Sequence, residues 1–217
     1  MIKDKSVIVT GAASGIGSAC ARQLLADGNR VVAVDLDRER LSAELGDETD
    51  ALKFTTGDIA RTATADRAAK TAVDAFYTID GLAHFAAAHS KLNWESADED
   101  EFNRILSTNV TGSFLMAKAA AKVMIDQGVK GAMVLTASGG VLMGGTGENG
   151  RGGPAYTTSK GGVLVLVRTL AKSWGKYGIR VNAISPGVVK TAMTSEYSDE
   201  AMEGAAARAA LGRVSQP

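Results

Sequence analysis

Tyr156 and Lys160 lie four residues apart. Four residues make about one helical turn, so the phenol and the ammonium would share one face of a helix. A positive charge beside a phenol favours the phenolate and lowers its pKa from about 10. A tyrosine with a lowered pKa can exchange a proton near neutral pH. The pair therefore indicates acid–base chemistry, although the same spacing also suits a solvent-facing pair on an ordinary helix.

Short apolar runs alternate with alanine-rich stretches along the chain, and these elements must position the pair. Strands are predicted at residues 6–10, 30–34, 51–55, 81–86, 131–136 and 179–185. Helices are predicted at residues 16–27, 66–76 and 157–176, and residues 97–127 are predicted to hold two helices or one bent helix. The alternation predicts a single α/β domain over residues 1–217, with a doubly wound parallel sheet and helices on both faces.

The composition excludes several classes of function. The 24 basic and 24 acidic residues give a formal net charge of zero, unlike the basic surface of a nucleic-acid-binding protein. No apolar run approaches the ~20 residues of a membrane span. The single cysteine, Cys20, cannot form a disulfide within the chain, which fits a reducing compartment. We therefore expect a cytoplasmic protein that binds neither nucleic acid nor membrane. His84 and His89 lie near no cysteine or acidic cluster with ligand spacing, so we expect no metal site.

A glycine-rich segment, Thr10–Gly17, follows the first predicted strand and opens the first predicted helix. Glycines allow a sharp turn and a close approach of a pyrophosphate, and the helix N-terminus offers free amides to the phosphates. An ordinary tight turn is the alternative, but the position directly after the first strand favours a dinucleotide. The residues expected to contact it are Thr10, Gly11, Ser14, Gly15, Ile16 and Gly17.

Asp35 ends the second predicted strand, about 20 residues beyond the glycine turn, where a carboxylate can bind the adenosine ribose hydroxyls. The same charge would repel a 2′-phosphate, so NAD is predicted rather than NADP, although Arg38 lies close by in sequence. A solvated strand end is the alternative for Asp35. Asp58 and Ile59 follow the third predicted strand and are expected at the adenine, with a helix-capping role as the alternative for Asp58.

These residues resemble the short-chain dehydrogenase/reductase family, and the likeness runs over essentially the whole chain. The family's Thr-Gly-x-x-x-Gly-x-Gly pattern is matched in Thr10–Gly17, and its Asn-Ser-Tyr-Lys set is matched by Asn109, Ser138, Tyr156 and Lys160. The resemblance implies a Rossmann-like fold and hydride transfer between NAD and a secondary alcohol or ketone. It also implies further cofactor contacts from Ala86, Pro186, Gly187, Val189 and Thr191.

The resemblance also implies a role for each member of the catalytic set. Tyr156 exchanges the proton of the substrate oxygen, and Ser138 hydrogen-bonds that oxygen as charge develops. Lys160 lowers the pKa of Tyr156 and binds the nicotinamide ribose. Asn109 holds a water that links Lys160 to solvent. Taken singly, Ser138 also suits the end of a strand and Asn109 a capped or kinked helix.

The chain departs from the family pattern in three places. The stretch His84–Ala87 stands where the family has Asn-Asn-Ala-Gly, and we expect His84 to be a packed or hydrogen-bonded strand residue rather than a catalytic one. A glycine-rich loop over residues 144–153 adds length between Ser138 and Tyr156 and is expected to be a flexible loop beside the site. The sequence also ends before the family's usual final helix and strand.

Substrate contacts are expected from Ser138, Val141, Met143, Tyr156 and Met193. Residues within about 190–211, including Glu196 and Tyr197, are predicted to form a lid over the substrate, with a plain surface helix as the alternative. A polyol, a hydroxyacyl chain and a hydroxysteroid all remain possible substrates.

The run Val163–Val167 is apolar on every side of its helix, which predicts burial all round. Because a sheet covers only one face, we expect a second subunit on the other face, in a dimer or a homotetramer. Two alternatives to a dehydrogenase remain open: an NAD-dependent epimerase, and a non-enzymatic cofactor-binding or scaffold protein with the same fold.

Overall fold

A computed structural model of the protein describes residues 3–147, 152–195 and 197–217. All six strands of its sheet are parallel, in the order β3-β2-β1-β4-β5-β6. The strands are β1 Ser6–Thr10, β2 Arg30–Asp35, β3 Leu52–Thr56, β4 Gly81–His84, β5 Ala132–Thr136 and β6 Arg180–Ile184. The predicted single α/β domain with a doubly wound parallel sheet is therefore confirmed.

Helices connect the strands and cover both faces. They are α1 Gly15–Ala26, α2 Arg38–Leu45, α3 Thr62–Phe76, α4 Glu99–Leu106, α5 Gly112–Gln127, α6 Gly140–Met143, α7 Pro154–Trp174 and α8 Asp199–Arg208. A π-helical turn, Ser107–Thr111, joins α4 to α5, so the stretch predicted as two helices or one bent helix is one continuous run. Two short helices, α2 and α6, were not predicted, because α2 is short and mostly polar and α6 lies among glycines.

Two apolar layers form the core because alternate strand residues point to opposite faces of the sheet. On one face Ile8, Leu82 and Met133 pack against α3, α5 and α7. On the other face Val9, Val31 and their neighbours pack against α1 and α2. The chain moves outward from β1 to β2 in one direction and from β4 to β5 in the other. This reversal opens a crevice at the carboxyl ends of β1 and β4, where α/β proteins bind ligands.

The helix α7 is buried on its sheet side only. Val163 and Val167 are buried against the sheet, but Val165 is 61% exposed. Within one chain the sheet therefore covers a single face of the helix, as expected, and the cover of the other face by a second subunit stays a prediction. Among the described residues, no helix combines the length and apolar character needed to span a bilayer.

Gly17 lies where the neighbouring backbone leaves no space for a side chain. A Cβ atom at this position would overlap the carbonyl oxygen of Gly11 in the preceding turn. We expect Gly17→Ala to lower the free energy of unfolding by about 1–3 kcal/mol through overpacking. The thermal midpoint should fall by roughly 2–4 °C for each kcal/mol.

Gly175 provides the matched control, because a Cβ atom there meets nothing within 4 Å and its φ is −56°. Gly175→Ala should leave the thermal midpoint unchanged or raise it slightly. Equal midpoints for the two variants, measured by calorimetry or circular dichroism, would contradict the close packing at Gly17.

Candidate active site

A cavity of about 850 Å³ lies at the carboxyl ends of the strands, over the reversal between β1 and β4. Its size is near the upper end of the ~300–1,000 Å³ of ligand pockets, so it has room for a large ligand and a smaller one together. The turn after β1 and the ends of β2 and β3 form one part of its wall. The ends of β4 and β5, the start of α7 and the segment after β6 form the other part.

The turn between β1 and α1 is shaped for an anion. Gly11 and Gly15 have φ values of +69° and +54°, in the left-handed region that glycine adopts without strain. Ser14 is the N-cap of α1, yet its side chain makes no capping hydrogen bond, and the first turn of the helix carries no acidic residue. The first amides of α1 therefore face the cavity without a side-chain acceptor, and a pyrophosphate fits them. By contrast, Asp37 and Asp98 cap α2 and α4 with their side chains.

Asp35 lines the same cavity at the end of β2. Its carboxylate accepts hydrogen bonds from the backbone amides of Ala13, at 3.0 Å, and Leu36, at 2.7 Å. These bonds fix the carboxylate beside the glycine turn and leave lone pairs on both oxygens for hydroxyl donors. Arg38 turns away from the cavity: it pairs with Glu48 at 2.7 Å and lies 5.5 Å from the centre of the Phe54 ring.

Asp58 and Ile59 also line the cavity. The Asp58 carboxylate accepts a hydrogen bond from the amide of Ala60 at 2.9 Å and lies 3.6 Å from Arg61. Arg61 rather than Asp58 is the N-cap of α3, so the alternative of a helix-capping role for Asp58 is wrong. Asp58 therefore stabilises the loop after β3 and at the same time forms part of the cavity wall.

Tyr156 and Lys160 share one face of α7 and both line the cavity. The Lys160 ammonium lies 5.7 Å from the centre of the Tyr156 ring and donates a hydrogen bond to the Thr136 carbonyl oxygen at 2.9 Å. Burial lowers the pKa of Lys160 to about 8. Burial also raises the pKa of Tyr156 to about 12, against a lowering by its hydrogen bond with Ser138 and together with a raising by Tyr197. The expected lowering of the tyrosine pKa is therefore wrong for this structure, because desolvation of the phenolate outweighs the favourable neighbours.

Ser138 lies just beyond the end of β5, where its hydroxyl meets the phenol of Tyr156. The same hydroxyl accepts a hydrogen bond from the amide of Gly140 at 3.2 Å. That bond occupies one lone pair of the hydroxyl oxygen and leaves its proton free to donate. The serine and the tyrosine therefore offer two O–H donors to one substrate oxygen.

Asn109 lies in the π-helical turn, 1% exposed, and does not line the cavity. Its side-chain oxygen accepts from the amide of Ala88 at 2.8 Å, and its amide nitrogen donates to the Ala88 carbonyl and to the Ser159 hydroxyl, each at 2.9 Å. These three bonds use both amide hydrogens and one of the two lone pairs of the amide oxygen. Asn109 ties the segment after β4 to α7 next to Lys160.

Thr10 and His84 are buried beneath the cavity floor rather than on its wall. The Thr10 hydroxyl accepts from the amides of Phe85, at 3.2 Å, and Ala86, at 3.1 Å, and lies 2.9 Å from Nδ1 of His84. Because both hydroxyl lone pairs take amide donors, the hydroxyl proton must go to Nδ1, which leaves the imidazole proton on Nε2. Burial, with a smaller effect of Lys160, lowers the pKa of His84 to about 3. The prediction of a packed, hydrogen-bonded strand histidine is confirmed.

The cavity gathers most of the predicted site residues and leaves out three. Those on its wall are Gly11, Ser14, Gly15, Ile16, Gly17, Asp35, Asp58, Ile59, Ala86, Ser138, Met143, Tyr156, Lys160, Pro186, Gly187, Val189, Thr191 and Met193. Those off the wall are Thr10, Asn109 and Val141. Val141 is directed toward α7, 3.9 Å from where a Cβ atom of Gly161 would lie, so the expectation that it contacts substrate is wrong.

Several wall residues were not predicted from sequence. They include His89, Arg104, Thr108, Arg208 and Arg213. They were missed because none of them stands in a recognisable motif. The spatial arrangement of their segments brings them to the cavity. His89 packs directly on Tyr156, with the ring centres 4.7 Å apart.

The described part of the glycine-rich loop lies against Tyr156, as predicted, while residues 148–151 fall outside the described residues. A Cβ atom at Gly152 would overlap the Tyr156 ring, and one at Gly153 would overlap the carbonyl oxygen of Leu92. The glycines are therefore required by the close approach of the loop backbone to its neighbours.

The segment predicted as a lid forms a short 3₁₀ helix, Ala192–Thr194, followed by α8. Met193, Thr194 and Tyr197 line the cavity from this segment, while Glu196 lies outside the described residues. The start of the segment is fixed to the chain that follows it, because the Lys190 amide donates to the Ser215 carbonyl at 2.9 Å. In the described parts of the chain, no group of three or more histidine, cysteine or acidic side chains is arranged to hold a metal ion.

Residues 11–217 match the family model described as enoyl-(acyl carrier protein) reductase. Levodione reductase of Leifsonia aquatica is 36% identical over 196 residues, covering 88% of this chain and 71% of its own length. L-Rhamnose 1-dehydrogenase (NAD(P)(+)) of Azotobacter vinelandii is 34% identical over 226 residues, covering 100% of this chain and 86% of its own.

Solved structures share this fold. A short-chain dehydrogenase/reductase from Brucella melitensis, described as a glucose/ribitol dehydrogenase, superposes with a TM-score of 0.90 at 26% identity. The match covers 100% of this chain and 85% of that one. The family model, the relatives and the fold all support the family indicated by the order of Thr10–Gly17, Ser138, Tyr156 and Lys160 in the sequence. The chain belongs to the short-chain dehydrogenase/reductase family of oxidoreductases, whose members use nicotinamide nucleotides.

Proposed function

We propose that the protein is an NAD-dependent dehydrogenase or reductase that interconverts a secondary alcohol and a ketone. One observation carries this proposal: Ser138, Tyr156 and Lys160 meet on the wall of the cavity that also contains the glycine turn and Asp35. The acid–base group and the proposed dinucleotide site therefore share one enclosed space, as hydride transfer requires.

A nicotinamide dinucleotide, when bound, supplies or accepts the hydride. The free amides of α1 would hold its pyrophosphate and Asp35 its adenosine ribose. Thr191, Val189 and Gly187 would contact its nicotinamide half, and Lys160 its second ribose. Gly187 has no atom within 4 Å of where a Cβ would stand, which leaves open space on this wall.

Tyr156 is proposed as the residue that exchanges the proton with the substrate oxygen. With a pKa raised to about 12, the phenol is protonated at neutral pH, which suits proton donation to a ketone. In the oxidation direction the phenol must lose its proton before it can accept one from the alcohol. Lys160, whose pKa is about 8, is still mostly an ammonium at pH 7 and would stabilise the phenolate that forms. Ser138 would donate to the substrate oxygen as its charge grows.

Two observations support NAD over NADP. The Asp35 carboxylate lies where a 2′-phosphate would bring further negative charge. Arg38, the cation nearest in sequence, is already paired with Glu48 and packed on Phe54. A 2′-phosphate beside Asp35 would therefore need a cation other than Arg38 to bind it.

The segment 190–211 is proposed to act as a lid, since its residues Met193 and Tyr197 form the cavity wall opposite the strands. We also propose a homodimer or homotetramer. Val165 on α7 and Phe114 on α5 are 61% and 37% exposed, and apolar surface of this kind on packed helices suits a symmetric interface.

Tyr156→Phe keeps the ring but removes the proton donor, so turnover should fall by at least about 100-fold. The assay is NADH absorbance with a panel of secondary alcohols, alongside fluorescence measurement of NADH binding, which should be nearly unchanged. Tyr77→Phe is the matched control, because Tyr77 is 79% exposed, and it should keep full activity.

The same assay separates the alternatives. A wild-type protein that binds NAD tightly but turns over no alcohol or ketone would favour a non-enzymatic role. Interconversion of epimers without net NADH formation would indicate an epimerase. Full activity in Tyr156→Phe would contradict the proposed proton transfer.

Asp35→Asn removes the negative charge with little change of shape. The ratio of kcat/KM with NADP to kcat/KM with NAD should rise by about tenfold or more, equivalent to ~1.4 kcal/mol. Steady-state kinetics with both cofactors measures this ratio. A wild-type enzyme that already prefers NADP would show that Asp35 does not set the choice.

Val165→Glu places a charge on the outer face of α7 and should lower the molecular mass in solution to that of a smaller assembly. Sedimentation velocity measures the change. Trp94→Glu is the control, since Trp94 is 78% exposed and lies outside the proposed interface helices. A wild-type monomer would contradict the proposal.

A further inference from the structure

His89 occupies a position beside the proposed reaction centre that the proton transfer described above does not use. It follows β4 in the segment that leads to α4 and is half-buried on the cavity wall. Its ring centre lies 4.7 Å from that of Tyr156, with the two ring planes inclined at 59°. An imidazole in such contact with the tyrosine borders the space around the reacting carbon.

The position of His89 is fixed by its neighbours. The preceding residue, Ala88, is held through both its amide and its carbonyl by the side chain of Asn109. Asn109 is in turn bonded to Ser159, which lies on α7 between Tyr156 and Lys160. The backbone directly before His89 is therefore tied to the helix that carries Tyr156, and the ring contact with Tyr156 places the imidazole.

Neither ring nitrogen of His89 hydrogen-bonds to another described residue. Burial, and then the charges of Lys91 and Lys160, lower the pKa of this imidazole, so it is neutral at pH 7. A neutral imidazole presents one N–H donor and one acceptor nitrogen. A hydroxyl group, which both donates and accepts, complements either nitrogen, and a half-buried polar group without such a partner loses free energy.

The distance from Tyr156 restricts where that partner belongs on the substrate. The reacting oxygen must lie between the hydroxyls of Tyr156 and Ser138, which are already hydrogen-bonded to each other. A substrate held at the Tyr156 hydroxyl therefore brings the atoms close to its reacting carbon, rather than a remote part, nearest to this tilted imidazole. An oxygen on the carbon next to the reacting carbon lies about one hydrogen-bond length from the reacting oxygen.

We propose that His89 is a specificity-determining residue that hydrogen-bonds an oxygen on the carbon next to the reacting carbon, so that the substrate is a vicinal diol or the corresponding α-hydroxy ketone. This inference rests on the proposed dehydrogenase activity. It narrows the substrate class from secondary alcohols in general to those with adjacent oxygens. A purely apolar substrate would leave both imidazole nitrogens without a partner in a half-buried site.

Matched substrate pairs test the proposal on the full-length protein. The pairs are cyclohexane-1,2-diol with cyclohexanol and butane-2,3-diol with butan-2-ol, each assayed with NAD for the wild type, His89→Phe and His89→Gln. The quantity compared is kcat/KM for the diol divided by kcat/KM for its monoalcohol. We expect the wild type to prefer the diol by at least about tenfold. His89→Phe, which keeps the ring contact with Tyr156, should bring the ratio close to one, mainly through a higher KM for the diol.

His89→Gln should recover most of the preference, because its amide supplies a donor and an acceptor. Three results would overturn the proposal: no preference for the diol in the wild type, an unchanged ratio in His89→Phe, or an equal loss of kcat on both members of each pair with a changed pH profile. The last result would make His89 an acid–base or packing residue. If the wild type turns over other secondary alcohols of the panel but neither diol, this proposal fails while the dehydrogenase activity stands. If it turns over no alcohol or ketone at all, the proposed dehydrogenase activity fails and this proposal fails with it.

Discussion

A single buried hydroxyl, that of Thr10, links the two central strands at the point where the active site opens. It accepts the amides of Phe85 and Ala86 and reaches Nδ1 of His84, so the end of β1 and the segment after β4 are joined. The Ala86 amide bonds this side chain, and the Phe85 amide divides its bond between the Thr10 hydroxyl and the Thr10 carbonyl oxygen, so β4 ends at His84 rather than at Ala86 as predicted. Without this junction, the wall formed by Ala86 to His89 would not be held beside the glycine turn.

The junction also carries an electrostatic cost. Nε2 of His84 is buried with no hydrogen-bond partner among the described residues, which costs about 1–3 kcal/mol. The family pattern has an asparagine at this position, whose side chain is shorter and has the same number of polar atoms. A neutral imidazole is tolerated here because burial and the charge of Lys160 both disfavour its protonation. The ammonium of Lys160 is therefore a shared neighbour of the junction and of the catalytic tyrosine.

Burial governs the chemistry of the catalytic pair more strongly than its spacing does. The four-residue separation places Lys160 near Tyr156, but at 5.7 Å from the ring centre the ammonium does not offset the desolvation of the phenolate. The phenol is therefore protonated at neutral pH in this structure, and the proposed role as a base would depend on groups that enter the cavity. Burial sets the protonation of Tyr156 and Lys160, and the described glycines of the loop before α7 and the segment after β6 contribute to that burial.

The alternation of strands and helices, the glycine turn and the order of Asp35, Ser138, Tyr156 and Lys160 could all be deduced from the sequence. Hydrophobic periodicity and motif order are local properties, and the sheet topology follows from them. The sequence did not determine that Val141 is directed toward α7, that the side chain of Asn109 bonds Ala88 and Ser159, or that the pKa of Tyr156 rises. Nor did it bring His89 to the tyrosine. Those features depend on contacts between segments distant in the chain and on burial, which exist only once the tertiary structure has formed.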